Sequence, residues 1–220
     1  MDIGGLIVGL GNPGDEYRNT RHNFGFMVVE ALLEQAERFG SVRLLSGKKD
    51  AWKLWRCPLA KNSRKEWLVA EPLTYMNKSG EAVQHIAAYY RVEISDILVL
   101  HDELDLPLGR MKLKKGGGSA GHNGIRSLEQ MLGSPDFYRL RLGVGKPPGM
   151  NGASWVLGRF YANEQEALAS TIQGALEGLH LWASQGPRLA QQYCNGFVLE
   201  SAAQTEGPQA QKHEKKDGSL

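Results

Sequence analysis

Apolar residues recur along the chain at two spacings, and the switches between them lay out the elements. The run 5-GLIV-8 and its continuation to residue 11 predict a strand, since a short apolar run bounded by glycine suits a strand covered on both faces. Phe24, Val28, Ala31, Leu32 and Phe39 fall at helical spacing and predict a helix over 24–39. Strands follow near 52–57 and 67–71. Ala82, Val83, Ile86, Ala87 and Tyr90 then mark one face of a helix over 79–91. The run 97-ILVL-100 predicts a strand continuing into 101-HDELDLP-107. A basic strand near 110–115, a short helix ending about 132 and an alternating strand at 138-YRLRLGVG-145 come next. Leu168, Ile172, Leu176, Leu179 and Trp182 form the buried stripe of a long helix over 164–185, with Asn163 and Glu166 placed as a capping box.

Strands alternating with helices predict an α/β fold: a single domain over 1–200 with a mixed, mostly parallel central sheet flanked by helices. From Ser201 onward large apolar residues almost vanish, so a disordered polar tail is expected over 201–220.

Composition narrows the setting. The chain has 220 residues, 41% hydrophobic and 23% charged, the make-up of a globular protein with a full core. Its opening apolar run is too short for a signal peptide, and no stretch approaches the ~20 apolar residues of a membrane span. Cys57 and Cys194 form no disulfide framework and no metal motif. A cytoplasmic protein without membrane contact is the expectation. A net charge of +2 says little about partners. Locally, Arg110, Lys112, Lys114, Lys115 and Arg126 occur between Leu106 and Leu128 with no acid among them, which suits either a solvated face or an anion-binding patch.

The glycines of 9-GLGNPG-14 satisfy the dinucleotide fingerprint, but the context does not. Pro13 has no N–H to offer a phosphate, 15-DEYRNTRHN-23 delays the helix, and the region where a ribose-binding acid should end a second strand is helical. The motif reads instead as a turn at the carboxyl end of the first strand, where ligands of open α/β sheets gather. Polar residues cluster after other apolar runs too: Asn12, Tyr17, His22 and Asn23; 74-TYMNKSG-80; 101-HDELDLP-107; 121-GHNG-124. Taken singly, Asn77 or Asn123 would be a turn or cap residue. Together they suit a histidine base beside a buried carboxylate, with asparagine amides for carbonyl groups. His22 with Asp102 is the favoured pair; His101 and His122 compete as bases, and Glu103 and Asp105 as carboxylates. No serine or cysteine lies in a nucleophile motif, and no metal-ligand spacing stands out.

The segments 9-GLGNPG-14 with Tyr17, 20-TRHNFGF-26, 74-TYMNKSG-80, 101-HDELDLP-107, 116-GGGSAGHNG-124 and 139-RLRLGVG-145 resemble, in order, the bacterial-type peptidyl-tRNA hydrolases, from about residue 4 to about 195. The resemblance implies hydrolysis of the ester between a peptide and the 3′ ribose of tRNA, by a monomer, without a cofactor or metal. It assigns His22 as base, Asp102 as its support and Asn12 as the residue separating peptidyl-tRNA from unblocked aminoacyl-tRNA. Tyr17, Asn77 and Asn123 match positions for the peptide and the tRNA 3′ end, and Tyr75 and Met76 the wall beside them. Lys112, Lys114 and Arg141 fall among the basic residues that grip phosphates. Tyr75 stands where the family often has Phe, and Ser119-Ala120 departs from the family's glycine-rich loop. The same fold also allows a second reading, an RNA-binding intron-splicing cofactor.

Overall fold

The computed structural model describes residues 2–45, 51–61 and 65–199; the expected tail over 201–220 lies outside them. In chain order the elements are β1 (Asp2–Gly9), α1 (Phe24–Ala36), β2 (Arg43–Leu45), β3 (Trp52–Cys57), β4 (Lys65–Pro72), α2 (Ser79–Tyr90), β5 (Ile97–Glu103), β6 (Met111–Lys115), α3 (Asn123–Leu132), β7 (Tyr138–Gly143), α4 (Gly152–Val156), α5 (Gln165–Gln185) and α6 (Pro187–Gly196). Tight turns at Arg21–Asn23 and Met76–Lys78 lead into α1 and α2.

One seven-stranded sheet runs in the order β2-β3-β4-β1-β5-β7-β6. Its centre, β4-β1-β5-β7, is parallel; the outer strands β2, β3 and β6 pair antiparallel. Ile7, Val69, Leu98 and Leu100 face a core shared with α1 and α5. Leu6, Val8, Leu68 and Val99 point the other way, into a core shared with α2 and α3. Burial on both faces is why the central strands read as continuous apolar runs.

The short elements escape periodicity. β2 is a three-residue edge strand with exposed side chains, and α4 is a five-residue helix capped by Asn151, whose Oδ1 accepts from the Ala153 and Ser154 amides. α6 carried a signal, since Pro187 opens it and Leu189, Ala190, Tyr193 and Cys194 recur at helical spacing. The start of α5 differs from the expected capping box at Asn163. A 3-10 turn, Ala162–Glu164, precedes it, and the Tyr161 amide donates to Glu164 Oε2 at 2.6 Å. The box therefore falls two residues before the expected one, because the 3-10 turn and not α5 itself takes the cap.

The first fingerprint glycine serves packing, as does Gly25 after it. A Cβ on Gly9 would lie 2.5 Å from the Gly25 carbonyl oxygen, and one on Gly25 would lie 2.4 Å from the Leu100 oxygen and 2.5 Å from the Leu10 nitrogen. The first turn of α1 therefore rests backbone-to-backbone on β1 and β5, setting the three residues before it against the end of the sheet. Gly25→Ala should lower stability by about 2–3 kcal/mol through overpacking against rigid backbone. Urea unfolding measures this, and a loss below 0.5 kcal/mol (roughly the noise of surface substitutions) would contradict it.

Candidate active site

Parallel strands turn their carboxyl ends to one edge of the sheet, and the chain departs from that edge at each polar segment. Leaving β1, it places Asn12 and then the turn bearing His22. Leaving β4, it places Tyr75, Met76 and Asn77. Asp102 stands near the end of β5, and the loop after β6 returns to begin α3 at His122. These residues line a cleft of about 480 Å³, with Leu104, Gly152, Ala153, Val156 and Leu157 as its apolar wall.

Asp102 organises the cleft. It is 3% exposed, and its Oδ1 accepts from His22 Nδ1 at 2.8 Å and from His122 Nε2 at 2.9 Å. Burial alone would raise the Asp102 carboxyl; the two imidazoles and their hydrogen bonds outweigh it and hold it well below the usual carboxylate range. Proton positions follow from the network. His122 is the N-cap of α3, and its Nδ1 accepts from the Gly124 and Ile125 amides at 3.1 and 3.3 Å. Its single proton in the neutral ring therefore sits on Nε2 and points at Asp102. An ionised Asp102 likewise draws the His22 proton to Nδ1, which leaves the Nε2 lone pair of His22 for the cleft.

Asn12 is fixed on both sides. Its amide donates to Asn23 Oδ1 and its carbonyl accepts from Asn23 Nδ2, each at 2.9 Å. Its side-chain Oδ1 accepts from the Met76 amide at 2.8 Å. With the oxygen occupied, the Asn12 NH2 is the end left to donate to a carbonyl or an oxyanion.

His22, Asp102 and His122 also bring three ligand atoms within 4.8 Å, the one group among the described residues with the make-up of a metal site. Sequence spacing gives no hint of it, because the three come from separate segments: a turn, the end of β5 and the cap of α3. The capping bonds argue against ligation. Metal at His122 Nε2 would need a proton on Nδ1, where two amide N–H groups already point.

A family model described as peptidyl-tRNA hydrolase matches residues 6–205. The chain belongs to the peptidyl-tRNA hydrolase family. It is 53% identical over 200 residues to the peptidyl-tRNA hydrolase of Nitratidesulfovibrio vulgaris, covering 90% of this chain and 99% of that one. It is 52% identical over 203 residues to that of Oleidesulfovibrio alaskensis, covering 91% and 100%. The crystal structure of peptidyl-tRNA hydrolase from Acinetobacter baumannii matches with a TM-score of 0.79 at 35% identity, covering 90% of this chain and 98% of that chain. The fold expected from the sequence is the fold of this family.

Of the expected site residues, Asn12, His22, Tyr75, Met76, Asn77, Asp102 and Asn123 line the cleft. Tyr17 stands at its rim, edge-on to Tyr75 with ring centres 6.5 Å apart. Lys112, Lys114 and Arg141 lie outside it on the β6–β7 ladder, where Lys112 pairs with Arg141 and Lys114 with Arg139. Arg141 Nε donates to Glu103 Oε2 at 2.7 Å, so Glu103 serves as its counter-ion. His101, a rival base in the sequence, is buried and donates from Nδ1 to the Asp102 carbonyl at 2.7 Å. Burial, with His122 beside it, pushes the imidazole well below its ordinary value and keeps it neutral. Sequence reasoning left His122 as another rival base; its pairing with Asp102 was traceable only through its place as the polar residue opening α3. The α4 wall had no signal at all.

Behind the Asn12–Asn23 pair, a second cavity of about 300 Å³ is lined by Glu71, Glu30, Lys53, Arg18 and Asp15. Burial pushes the Glu71 carboxyl up to about 7; Lys53 at 3.6 Å opposes this and Glu30 adds to it. Between the ordinary value of 4.5 and about 7 the folded chain holds a proton that the unfolded chain has released. Stability therefore falls as pH rises through that window. Glu71→Gln should gain on the order of 1–3 kcal/mol over wild type at pH 8 and almost nothing at pH 4. Urea unfolding at the two pH values tests this, and an equal difference at both would contradict it.

Proposed function

We propose that the chain hydrolyses the ester between a peptide and the 3′ ribose of tRNA, with His22 as general base. The observation that carries this reading is the 2.8 Å bond from His22 Nδ1 to the ionised Asp102, which turns the basic Nε2 toward the cleft. A water on Nε2 loses its proton to the ring as its oxygen attacks the ester carbonyl carbon. Asp102 stabilises the imidazolium that forms. The Asn12 amide donates to the developing oxyanion, aided by Asn77 and Asn123 at the cleft rim. As the C–O bond to the ribose breaks, the imidazolium returns its proton to the departing 3′ oxygen, leaving free tRNA, a free peptide acid and neutral His22.

An ester needs no further activation than a placed base and oriented donors. A peptide of any sequence must be held by its backbone, which suits asparagine amides carrying both donor and acceptor. The β6–β7 face supports the tRNA half of the reading. Lys114 and Arg139 oppose each other across the ladder, and burial with the neighbouring Arg141 and Arg139 lowers the Lys114 ammonium. Arg139 and Arg141 are matched by Glu129 and Glu103, so Lys112 and Lys114 are the cations of this ladder suited to phosphate contacts. The relatives are named as hydrolases, and no feature of the cleft favours the RNA-binding cofactor reading over them.

Turnover of N-acetyl-aminoacyl-tRNA by the purified protein tests the proposal. His22→Ala should abolish nearly all turnover while retaining tRNA binding, and Asp102→Asn should cost about 10²-fold or more, as for other oriented His–carboxylate pairs. Wild-type turnover in His22→Ala would overturn it. Lys114→Ala should raise KM at low salt with kcat little changed, the difference shrinking as salt rises. An identical KM in both proteins at all salt concentrations would remove Lys114 from the substrate site.

A further inference from the structure

His22 sits between two restrained neighbours, and one of them is an arginine removed from water. Arg21 is 1% exposed, unusual for a side chain that almost never leaves solvent unpaired. Its amide donates to the Gly158 carbonyl at 2.9 Å. Its guanidinium donates to the Arg159 carbonyl and, at 2.6 Å, to Glu164 Oε2. Its Cζ lies 3.7 Å from the centre of the Trp155 ring, with Phe160 and Tyr161 around it. One side chain thereby joins the turn carrying His22 to the segment 155–164.

That segment is continuous with the cleft wall. Trp155 belongs to α4, whose Ala153 and Val156, with the following Leu157, line the same cleft as His22. α4 has anchors of its own: Asn151 caps it, and Trp155 Nε1 donates to the Val144 carbonyl at 3.2 Å. The turn Arg21–Asn23 is held at both ends and at His22, whose Nδ1 bonds Asp102 at 2.8 Å. Asn23 is tied to the Asn12 backbone, and Arg21 is tied to 155–164. Releasing the Arg21 side chain leaves the turn on its backbone bonds, with the His22 ring able to pivot on its bond to Asp102 while the wall stays put.

We infer that Arg21 is a positioning residue, which acts through the Trp155–Glu164 segment to fix the height of His22 Nε2 above the α4 wall. The inference rests on the hydrolytic reading above. An acyl group seated on the wall then meets the activated water at one distance, and displacement of a reacting group by about 1 Å can cost on the order of 10²-fold in rate. Affinity for substrate is carried by other residues, so the effect falls on kcat.

The test compares Arg21→Met, Arg21→Lys, Glu164→Gln and Trp155→Phe with wild type, each assayed well below its own melting temperature. Arg21→Met should lose on the order of 10²-fold in kcat per folded molecule with KM within a few-fold of wild type. Arg21→Lys, which keeps a charge for Glu164 but not the planar fork, should recover part of that loss. Glu164→Gln and Trp155→Phe, both outside the cleft chemistry, should each cost several-fold in kcat, and they carry the test should Arg21→Met not fold. Wild-type kcat in the folded variants, or a loss that only tracks the folded fraction, would overturn the inference. Hydrogen exchange, which needs no substrate, separates it from the function proposed above. In Glu164→Gln the amides of 20–26 should lose protection while those of 152–156 keep theirs. Unchanged exchange over 20–26 would refute the link even if wild type proved inactive on peptidyl-tRNA.

Discussion

One carboxylate oxygen, buried at the end of a parallel strand, holds two imidazoles. Asp102 Oδ1 lies 2.8 Å from His22 Nδ1 and 2.9 Å from His122 Nε2, and each ring presents the nitrogen that its other bonds leave over. His122 is spent on the α3 cap, so it can only donate to Asp102. Among the described residues His22 has no such second partner, so its far nitrogen is available to the cleft. An uncompensated carboxylate in this position would be costly; two N–H donors make it a stable anion. Other arrangements around the cleft follow from keeping this one in place.

The supporting structure is backbone contact and buried charge rather than bulk. Gly9 and Gly25 allow α1 to start directly against β1 and β5, which brings a turn from one strand within reach of Asp102 on the next. Arg139 does for the glycine-rich loop what Arg21 does for the His22 turn. It is 1% exposed and donates to the Gly118 carbonyl and to Glu129 Oε1, each at 2.9 Å. Ala120 in the same loop adopts a left-handed φ of 48°, a conformation that glycine takes more easily. This is a position where the resemblance leads one to expect glycine, and the backbone takes a glycine-like path with alanine in place.

The parts of the molecule legible in the sequence are those governed by local periodicity or by motif. The central strands and α1, α2 and α5 are long enough for their burial pattern to declare them. Asn12, His22, Asp102 and Asn77 could be named because each follows an apolar run, and Asn123 because it follows the glycine-rich loop; taken together they favour the His22–Asp102 pair, and the family resemblance assigns the individual roles. Nothing local in Arg21 distinguishes a buried clamp from a surface cation, since its partners lie 138 and 143 residues away. The same holds for α4, whose five residues carry no period. The pairing of His122 with Asp102 is a tertiary contact made possible by a helix cap, and spacing alone cannot separate a capping histidine from a base.

The chemistry of the cleft turns on two ring protons, one on His22 and one on His122. Nitrogen-15 NMR of the histidine rings at pH 8, with assignments from His22→Ala and His122→Ala, locates both without substrate. Neutral His122 should carry its proton on Nε2 and neutral His22 on Nδ1, with Asp102→Asn disturbing both. A His22 ring protonated mainly on Nε2 would leave no base facing the cleft and would contradict the account.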